Sequence, residues 1–152
     1  MAQLPADSCN QLAAKFDYTV IIPTLNESEN VQPLLDRVLA EVGRIGLPAE
    51  VLIVDGGSTD DTCTLVRQYE HAQPVRLIQS DAHRGLAGDI LRGAEEAHSE
   101  VVLVMDADLS HPPEAIESLV RPIIDGCKDM VIGSRYVEHG STPGWPWIRR
   151  LA

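Results

Sequence analysis

The sequence predicts an α/β fold built on a mostly parallel β-sheet. Short apolar runs rich in β-branched residues alternate with segments of helical periodicity along most of the chain. Several runs are almost wholly apolar, as strands buried on both faces of a parallel sheet are. A repeated strand–helix–strand order requires right-handed crossover connections, which make neighbouring strands parallel. With 152 residues, 44% of them hydrophobic, the chain is long enough for one domain with a core.

Five runs are predicted to be strands. They are YTVII (18–22), EVLIVD (50–55), VRLIQ (75–79), VVLVMD (101–106) and DMVIGSRY (129–136). Residues 1–17 show no steady period and are predicted to be a flexible lead-in.

The first helix follows strand 18–22. Its apolar stripe is formed by Val31, Leu34, Leu35, Val38, Leu39 and Val42. Asn26 or Ser28 is the expected N-cap, Gly43 or Gly46 the expected stop, and Pro33 is placed in the first turn, where its missing N–H does little harm. Three further helices are predicted over 62–72, over 87–98, and from Pro112 to about Ile124.

Two aspartates stand at the end of the fourth predicted strand. Asp106 and Asp108 are two residues apart, so in an extended segment both side chains point to the same side. Such a pair repels unless a cation lies between the carboxylates. Mg²⁺ or Mn²⁺ fits, since Mg²⁺ is commonly held by one or two carboxylates plus substrate phosphates. The alternative is a pair of solvated loop aspartates.

The segment DGGSTDDT follows the second predicted strand. It has neither the lysine of a P-loop nor the spacing of a dinucleotide-binding fingerprint. Asp55, at the strand end, is a candidate to hold a ribose or a base edge. The alternative for this segment is a glycine turn that leads into a helix cap between Ser58 and Thr62.

Charge and composition exclude several classes of protein. The formal net charge of −11 makes a nucleic-acid partner improbable. The three cysteines form no CxxC pair, which speaks against a zinc site or a disulfide framework. No signal peptide or apolar membrane span is present in the sequence. A cytoplasmic location is therefore expected.

Five motifs together resemble one known family. PTLNESEN, VDGGSTDDT, RGLAGDILRG, MDADLSHPPE and GSRY occur in the order and spacing of the family 2 glycosyltransferases of GT-A fold, over about residues 18–150. The subgroup they resemble is that of dolichol- or polyprenol-phosphate mannose synthases. The resemblance implies an enzyme with a Rossmann-like three-layer fold. It also implies that the C-terminal part of this fold is missing from the present sequence. It implies a nucleotide-sugar-binding domain over 18–136 and an acceptor-side segment over 137–152, apparently truncated.

The resemblance also implies roles for individual residues. The nucleotide would be lined by Pro23, Leu25, Glu27 and Val54, beside Asp55 and Gly56. Asp106, Ala107 and Asp108 would contact the sugar nucleotide, with both aspartates on the metal. Arg135 and Arg149 would face the phosphates of donor or acceptor, and Asp108, Arg135 and Arg149 are the expected catalytic residues.

Four positions depart from the family pattern. Gly56 stands where the family usually has a second aspartate, Leu25 where it has tyrosine, and Asp89 where a small residue is expected. Ser110 stands where many members have glutamine, although serine also occurs there. These departures leave the metal pair intact and leave the choice of nucleotide open.

The function implied is metal-dependent, inverting transfer of a sugar to a polyprenyl or dolichyl phosphate, with mannose from GDP-mannose favoured. The alternatives are a UDP-sugar transferase acting on a lipid phosphate and a truncated, non-catalytic nucleotide-sugar-binding module. The segment with Trp145, Trp147, Arg149 and Arg150 has the composition of a membrane-interface segment or of a mobile tail. In the first case the protein would lie on the cytoplasmic face of a membrane.

Overall fold

The computed structural model describes residues 16–71, 74–80 and 85–134, and within them four parallel strands form one sheet. The strands are β1 (Tyr18–Thr24), β2 (Ala49–Asp55), β3 (Val75–Gln79) and β4 (Val102–Val104), in the spatial order β3-β2-β1-β4. The α/β class and the parallel sheet are thus confirmed. β1 and β2 are paired from Tyr18 opposite Ala49 to Thr24 opposite Asp55, and every residue of both strands is buried. Burial on both faces explains their apolar sequences.

Helices cover both faces of the sheet. They are α1 (Val31–Ile45), α2 (Thr62–Glu70), α3 (Gly85–Glu96), and α4 (Ile116–Ile124), which follows a 3₁₀ turn at Pro113–Ala115. α1, α2 and α4 share a hydrophobic core with one face. On the other face α3 packs over β1 and β2, where Ile21, Leu52 and Val54 form a smaller cluster. In the described part of the chain the longest of these helices has 15 residues, and none is both long and apolar enough to cross a bilayer.

The ends of α1 differ in part from expectation. Gly46 ends the helix with a φ of 71°, as predicted, because a left-handed C-terminal residue suits glycine. The N-cap position is Asn30 and neither Asn26 nor Ser28. Asn26 instead has a φ of 56° and contacts the loop after β2. The N-cap prediction is therefore wrong for Asn26, which bonds across to the loop after β2 instead.

The fifth predicted strand, 129–136, is not found where the structure describes it. Residues 129–134 adopt no regular structure, and Met130 and Ile132 are 73% and 74% exposed. A strand is stable only when it is paired, and 129–134 is not among the paired strands of the described sheet. The proposed domain boundary at 136 lies outside the described residues, as do most of the lead-in and all of segment 137–152, and the domain division stays a prediction.

At the amino-terminal edge of the sheet, a buried carboxylate organises a polar network. Glu50 accepts hydrogen bonds from Arg76 Nε at 3.0 Å, from the His98 N–H at 3.2 Å and from Thr19 Oγ1 at 3.3 Å. Burial acts to raise the pKa of Glu50, but the bonds from Arg76 and His98 outweigh it and lower that pKa overall. The network therefore stabilises the folded state while Glu50 is ionised.

We expect Glu50→Gln to lower the free energy of unfolding by about 1–3 kcal/mol at neutral pH, since it weakens a buried charge-assisted bond. A lowered folded-state pKa gives stability that is present above the ordinary pKa of the carboxyl and is lost as pH falls through the folded value. Urea unfolding from pH 7 to pH 3 should therefore show a shallower acid loss in Glu50→Gln than in the wild type. The exposed Glu100→Gln is the control, and parallel pH profiles for wild type and Glu50→Gln would contradict the expectation.

Candidate functional site

An open pocket of about 370 Å³ lies at the carboxyl ends of the strands. Open α/β sheets bind ligands at this edge. Its walls come from the segments after β1, β2 and β4 and from the start of α3. The lining residues are Pro23, Thr24, Leu25, Glu27, Gly56, Gly85, Leu86, Asp89, Asp106, Ala107 and Asp108.

The segment after β4 presents both aspartates to this pocket. Met105 and Ala107 are buried, while Asp106 is partly exposed and Asp108 is exposed. This alternation turns the two carboxylates to the same side, as the spacing predicts. Leu109 has a φ of 61°, an unfavourable conformation for leucine, while its side chain packs against the core. The turn therefore holds the aspartate pair in place.

Neighbouring residues keep both carboxylates in defined positions. Hydrogen bonds from the Ser110 hydroxyl and N–H lower the pKa of Asp108, and the N–H bond is 2.9 Å long. The Asp106 N–H donates to His111 Nδ1 at 3.1 Å, and His111 Nε2 lies 3.5 Å from Asp106 Oδ2. The sequence favours a solvated turn histidine at position 111 over one near the metal, and the structure places His111 against Asp106.

The loops after β1 and β2 are joined by side-chain bonds. The Asn26 N–H donates to Ser58 Oγ at 2.8 Å, and Asn26 Oδ1 accepts the Thr59 N–H at 2.9 Å. The Glu27 N–H donates to Thr62 Oγ1 at 2.8 Å. These bonds fix one pocket wall against the other, so the motifs PTLNE and DGGST act as a single structural unit.

Asp55 is placed differently from the expected ribose or base contact. It is buried, and its carboxylate accepts the N–H groups of Gly57 at 3.1 Å and Ser58 at 2.9 Å. Burial acts to raise the pKa of Asp55, but the bonds from Ser58, together with that from Gly57, lower it overall. The carboxylate therefore shapes the loop after β2, which agrees with the alternative of a structured glycine turn.

The structure brings most of the remaining predicted site residues together. Pro23, Leu25, Glu27, Gly56, Asp106, Ala107 and Asp108 all line the pocket. Val54 does not, because its side chain is fully buried between the sheet and α3. Arg135 and Arg149 lie outside the described residues.

Four lining residues were not assigned to the site from the sequence: Thr24, Gly85, Leu86 and Asp89. Leu86 and Asp89 both come from the beginning of α3. The run RGLAGD, where Asp89 replaces an expected small residue, carried the signal. It became interpretable only once α3 was placed beside the loop after β2.

The pocket suits a hard divalent cation. Among its described lining residues are four carboxylates, from Glu27, Asp89, Asp106 and Asp108, and no lysine or arginine. No group of three or more His, Cys, Asp or Glu side chains in the described ranges forms a closed metal site. Two carboxylates with open coordination positions match Mg²⁺ or Mn²⁺ completed by substrate phosphates, and they do not match structural zinc.

Comparisons with known proteins agree with this geometry. The family model described as glycosyl transferase family 2 matches residues 19–151. The chain is 41% identical over 133 residues to a dolichol-phosphate mannosyltransferase of Pyrococcus furiosus, covering 88% of this chain and 37% of that protein. It is 36% identical to a polyprenol monophosphomannose synthase of Mycolicibacterium smegmatis, covering 86% and 49%.

A solved structure gives a further likeness. The mannosyltransferase PcManGT of Pyrobaculum calidifontis, in complex with GDP-Man and Mn²⁺, superposes with a TM-score of 0.58 at 27% identity, covering 80% of this chain and 35% of that one. This chain spans between 37% and 53% of the length of four curated relatives that it matches. The match over nearly all of the sequence, on a GT-A-like parallel sheet, confirms the resemblance: the chain belongs to glycosyl transferase family 2.

Proposed function

We propose that this chain is the donor-binding part of a metal-dependent, inverting glycosyltransferase that moves mannose from GDP-mannose to a polyprenyl or dolichyl phosphate. The observation that carries the proposal is the aspartate pair at the end of β4, facing a pocket between the strand ends. The relatives named as mannosyltransferases of dolichol phosphate and the PcManGT complex with GDP-Man and Mn²⁺ support the choice of donor and acceptor.

Electrostatics makes the metal necessary in this proposal. A nucleoside diphosphate is an anion, and the described pocket wall is acidic. Like charges at short range in a partly desolvated site repel strongly. Asp106 and Asp108 would hold the Mg²⁺ or Mn²⁺. That ion would supply charge neutralisation of the leaving diphosphate, the Lewis-acid role of bound metals.

The reaction needs no side-chain base if the acceptor is a lipid phosphate. The second pKa of a phosphate ester is about 6, so its oxygen is mostly ionised near neutral pH. That oxygen forms a bond to C1 of the sugar while the bond from C1 to the diphosphate breaks, and the nucleoside diphosphate leaves with the electron pair. We propose that Arg135 and Arg149 orient the acceptor phosphate through charge-assisted hydrogen bonds. Such an acceptor requires the protein to work at a membrane surface, and we propose that this is the cytoplasmic face.

A titration series tests the donor. We expect calorimetry to detect binding of GDP-mannose to the full chain in the presence of Mn²⁺ and none in EDTA, with UDP-glucose and UDP-GlcNAc binding more weakly. Transfer is then measured as radiolabelled mannose recovered in dolichyl phosphate from detergent micelles. Preferential binding of a UDP-sugar would contradict GDP-mannose as the donor. Binding of the donor without any transfer would indicate a non-catalytic nucleotide-sugar-binding module.

A further inference from the structure

We propose that Asp89 recognises the nucleobase of the donor, and that its carboxylate accepts hydrogen bonds from adjacent N–H groups of a guanine ring. The inference rests on the proposed function only in taking the ligand to be a guanine nucleotide. It does not depend on the sugar, on the acceptor or on turnover.

The packing of α3 determines where Asp89 lies. At Gly93, one turn further along the helix, an added Cβ would lie 2.6 Å from Ile21 Cγ2 and 3.1 Å from Val54 Cγ2. The helix backbone therefore rests directly on β1 and β2 at that turn. Residues four apart share a helix face, so Asp89 also faces the sheet. Because α3 crosses back between parallel strands, its N-terminal turns lie at the pocket edge.

Asp89 occupies the space beside Gly56. Asp89 is buried, with 6% of the residue exposed, and it lines the pocket. A Cβ built at Gly56 would lie 2.8 Å from Asp89 Oδ2, closer than real Cβ atoms approach an oxygen. A side chain at position 56 and the carboxylate of Asp89 thus compete for one volume. At this point the loop after β2 contributes only the glycine at position 56, and α3 contributes the carboxylate of Asp89.

The surrounding walls suit a flat ring. Leu25 and Leu86 both line the pocket and are 52% and 60% exposed, although leucine is usually buried. A nucleobase has two apolar faces and a polar edge, so it matches a pocket that offers both apolar side chains and a carboxylate. A ribose or hexose, which carries hydroxyl groups around its ring, would leave these leucines in contact with polar groups.

The position also matches the length of a nucleotide. Neighbouring strands lie about 4.8 Å apart, so the ends of β2 and β4, with β1 between them, are about 10 Å apart. A diphosphate on the aspartate pair after β4 would place its nucleoside toward β2. One binding site would then have two ends, the aspartate pair Asp106 and Asp108 at the diphosphate and the Asp89–Gly56 pair at the nucleobase.

The chemistry of a carboxylate selects among bases. It accepts hydrogen bonds and donates none when ionised. Guanine presents N1–H and the exocyclic amine side by side, which a carboxylate accepts as a pair. Uracil presents one N–H between two carbonyl oxygens, and these oxygens would face the carboxylate with like partial charge. Asp89 therefore favours guanine over uracil.

Calorimetric titration of the Mn²⁺-loaded full chain with GDP and with IDP, which lacks the exocyclic amine, tests the inference. The wild type should bind GDP more tightly than IDP. Asp89→Asn and Asp89→Ala should lower GDP affinity by about 10- to 100-fold, the range for a charge-assisted hydrogen bond, and should reduce the GDP-to-IDP preference to about twofold or less. The exposed Glu95→Gln on the same helix is the control and should keep both affinities. Because the preference is a ratio within one variant, it does not depend on the folded fraction.

A double-mutant cycle tests the shared volume. Gly56→Asp alone should weaken GDP binding through crowding and repulsion against Asp89, and adding Asp89→Ala should restore part of that loss. If the losses in GDP affinity from Gly56→Asp and Asp89→Ala were additive in the double variant, the claim that the two positions share one volume would be overturned. Unchanged GDP and IDP affinities in Asp89→Ala and Asp89→Asn, or a wild type that prefers UDP to GDP, would overturn the base contact. A chain with the expected GDP preference that transfers no mannose would contradict the proposed function and leave this inference standing.

Discussion

Replacing Asp108 with alanine should abolish Mn²⁺-dependent binding of GDP-mannose, with a loss of at least about 100-fold in affinity, or about 2.7 kcal/mol. Asp106 and Asp108 are the two carboxylates that the segment after β4 turns toward the pocket. With one removed, the remaining aspartate holds a hard cation poorly, because Mg²⁺ and Mn²⁺ are bound through few protein oxygens to begin with. Calorimetry with and without Mn²⁺ measures the change.

The matched control is Asp125→Ala, an exposed aspartate at the C-terminal end of α4, at the helix end away from the pocket. It should leave both affinity and metal dependence unchanged. Donor affinity that survives in Asp108→Ala, or wild-type binding that persists in EDTA, would show that the aspartate pair is not the metal site.

The bounds of three strands were predicted closely from the sequence. β1 and β2 are buried at every residue and were predicted to within about two residues, since an uninterrupted apolar run has few other uses in a chain of this composition. β3 matches its predicted bounds although only Val75 in it is buried. Prediction failed over the described residues 129–134, where the residue pattern favours a strand but pairing decides whether one forms. Local sequence shows that a segment favours an extended conformation, but it does not show whether a partner strand is available.

The same distinction applies to the site. Asp106 and Asp108 are neighbours in the chain, so their spacing predicts their joint orientation. Asp89 and Gly56 come from different crossover units, and their contact follows from how α3 packs on the sheet. Asp55 shows the reverse case, in which a polar residue at a strand end bonds to its own loop instead of facing the pocket. The sequence predicts which residues lie at the carboxyl edge of the sheet. Contacts between residues of different crossover units can be found only from the folded structure.

Gly93→Ala should destabilise the protein by about 1–3 kcal/mol, the usual cost of overpacking a well-packed site. The added Cβ would lie 2.6 Å from a methyl group of Ile21, which branches directly from its own Cβ and has no flexible stem to move. The strain must exceed the gain of about 1 kcal/mol that alanine brings as a better helix former. Urea unfolding followed by circular dichroism measures the difference.

Gly43→Ala is the control with the opposite expected sign. No atom lies within 4 Å of the Cβ position at Gly43, which is exposed near the end of α1, so alanine should stabilise the protein by about 0.5–1 kcal/mol. Equal effects at both positions would mean that α3 does not rest on β1 and β2 as closely as the geometry indicates. Because Asp89 lies one turn from Gly93 on the same face, displacement of α3 by the new methyl group should also weaken GDP binding in the folded fraction. Gly43→Ala, on the opposite side of the sheet, should leave that affinity unchanged.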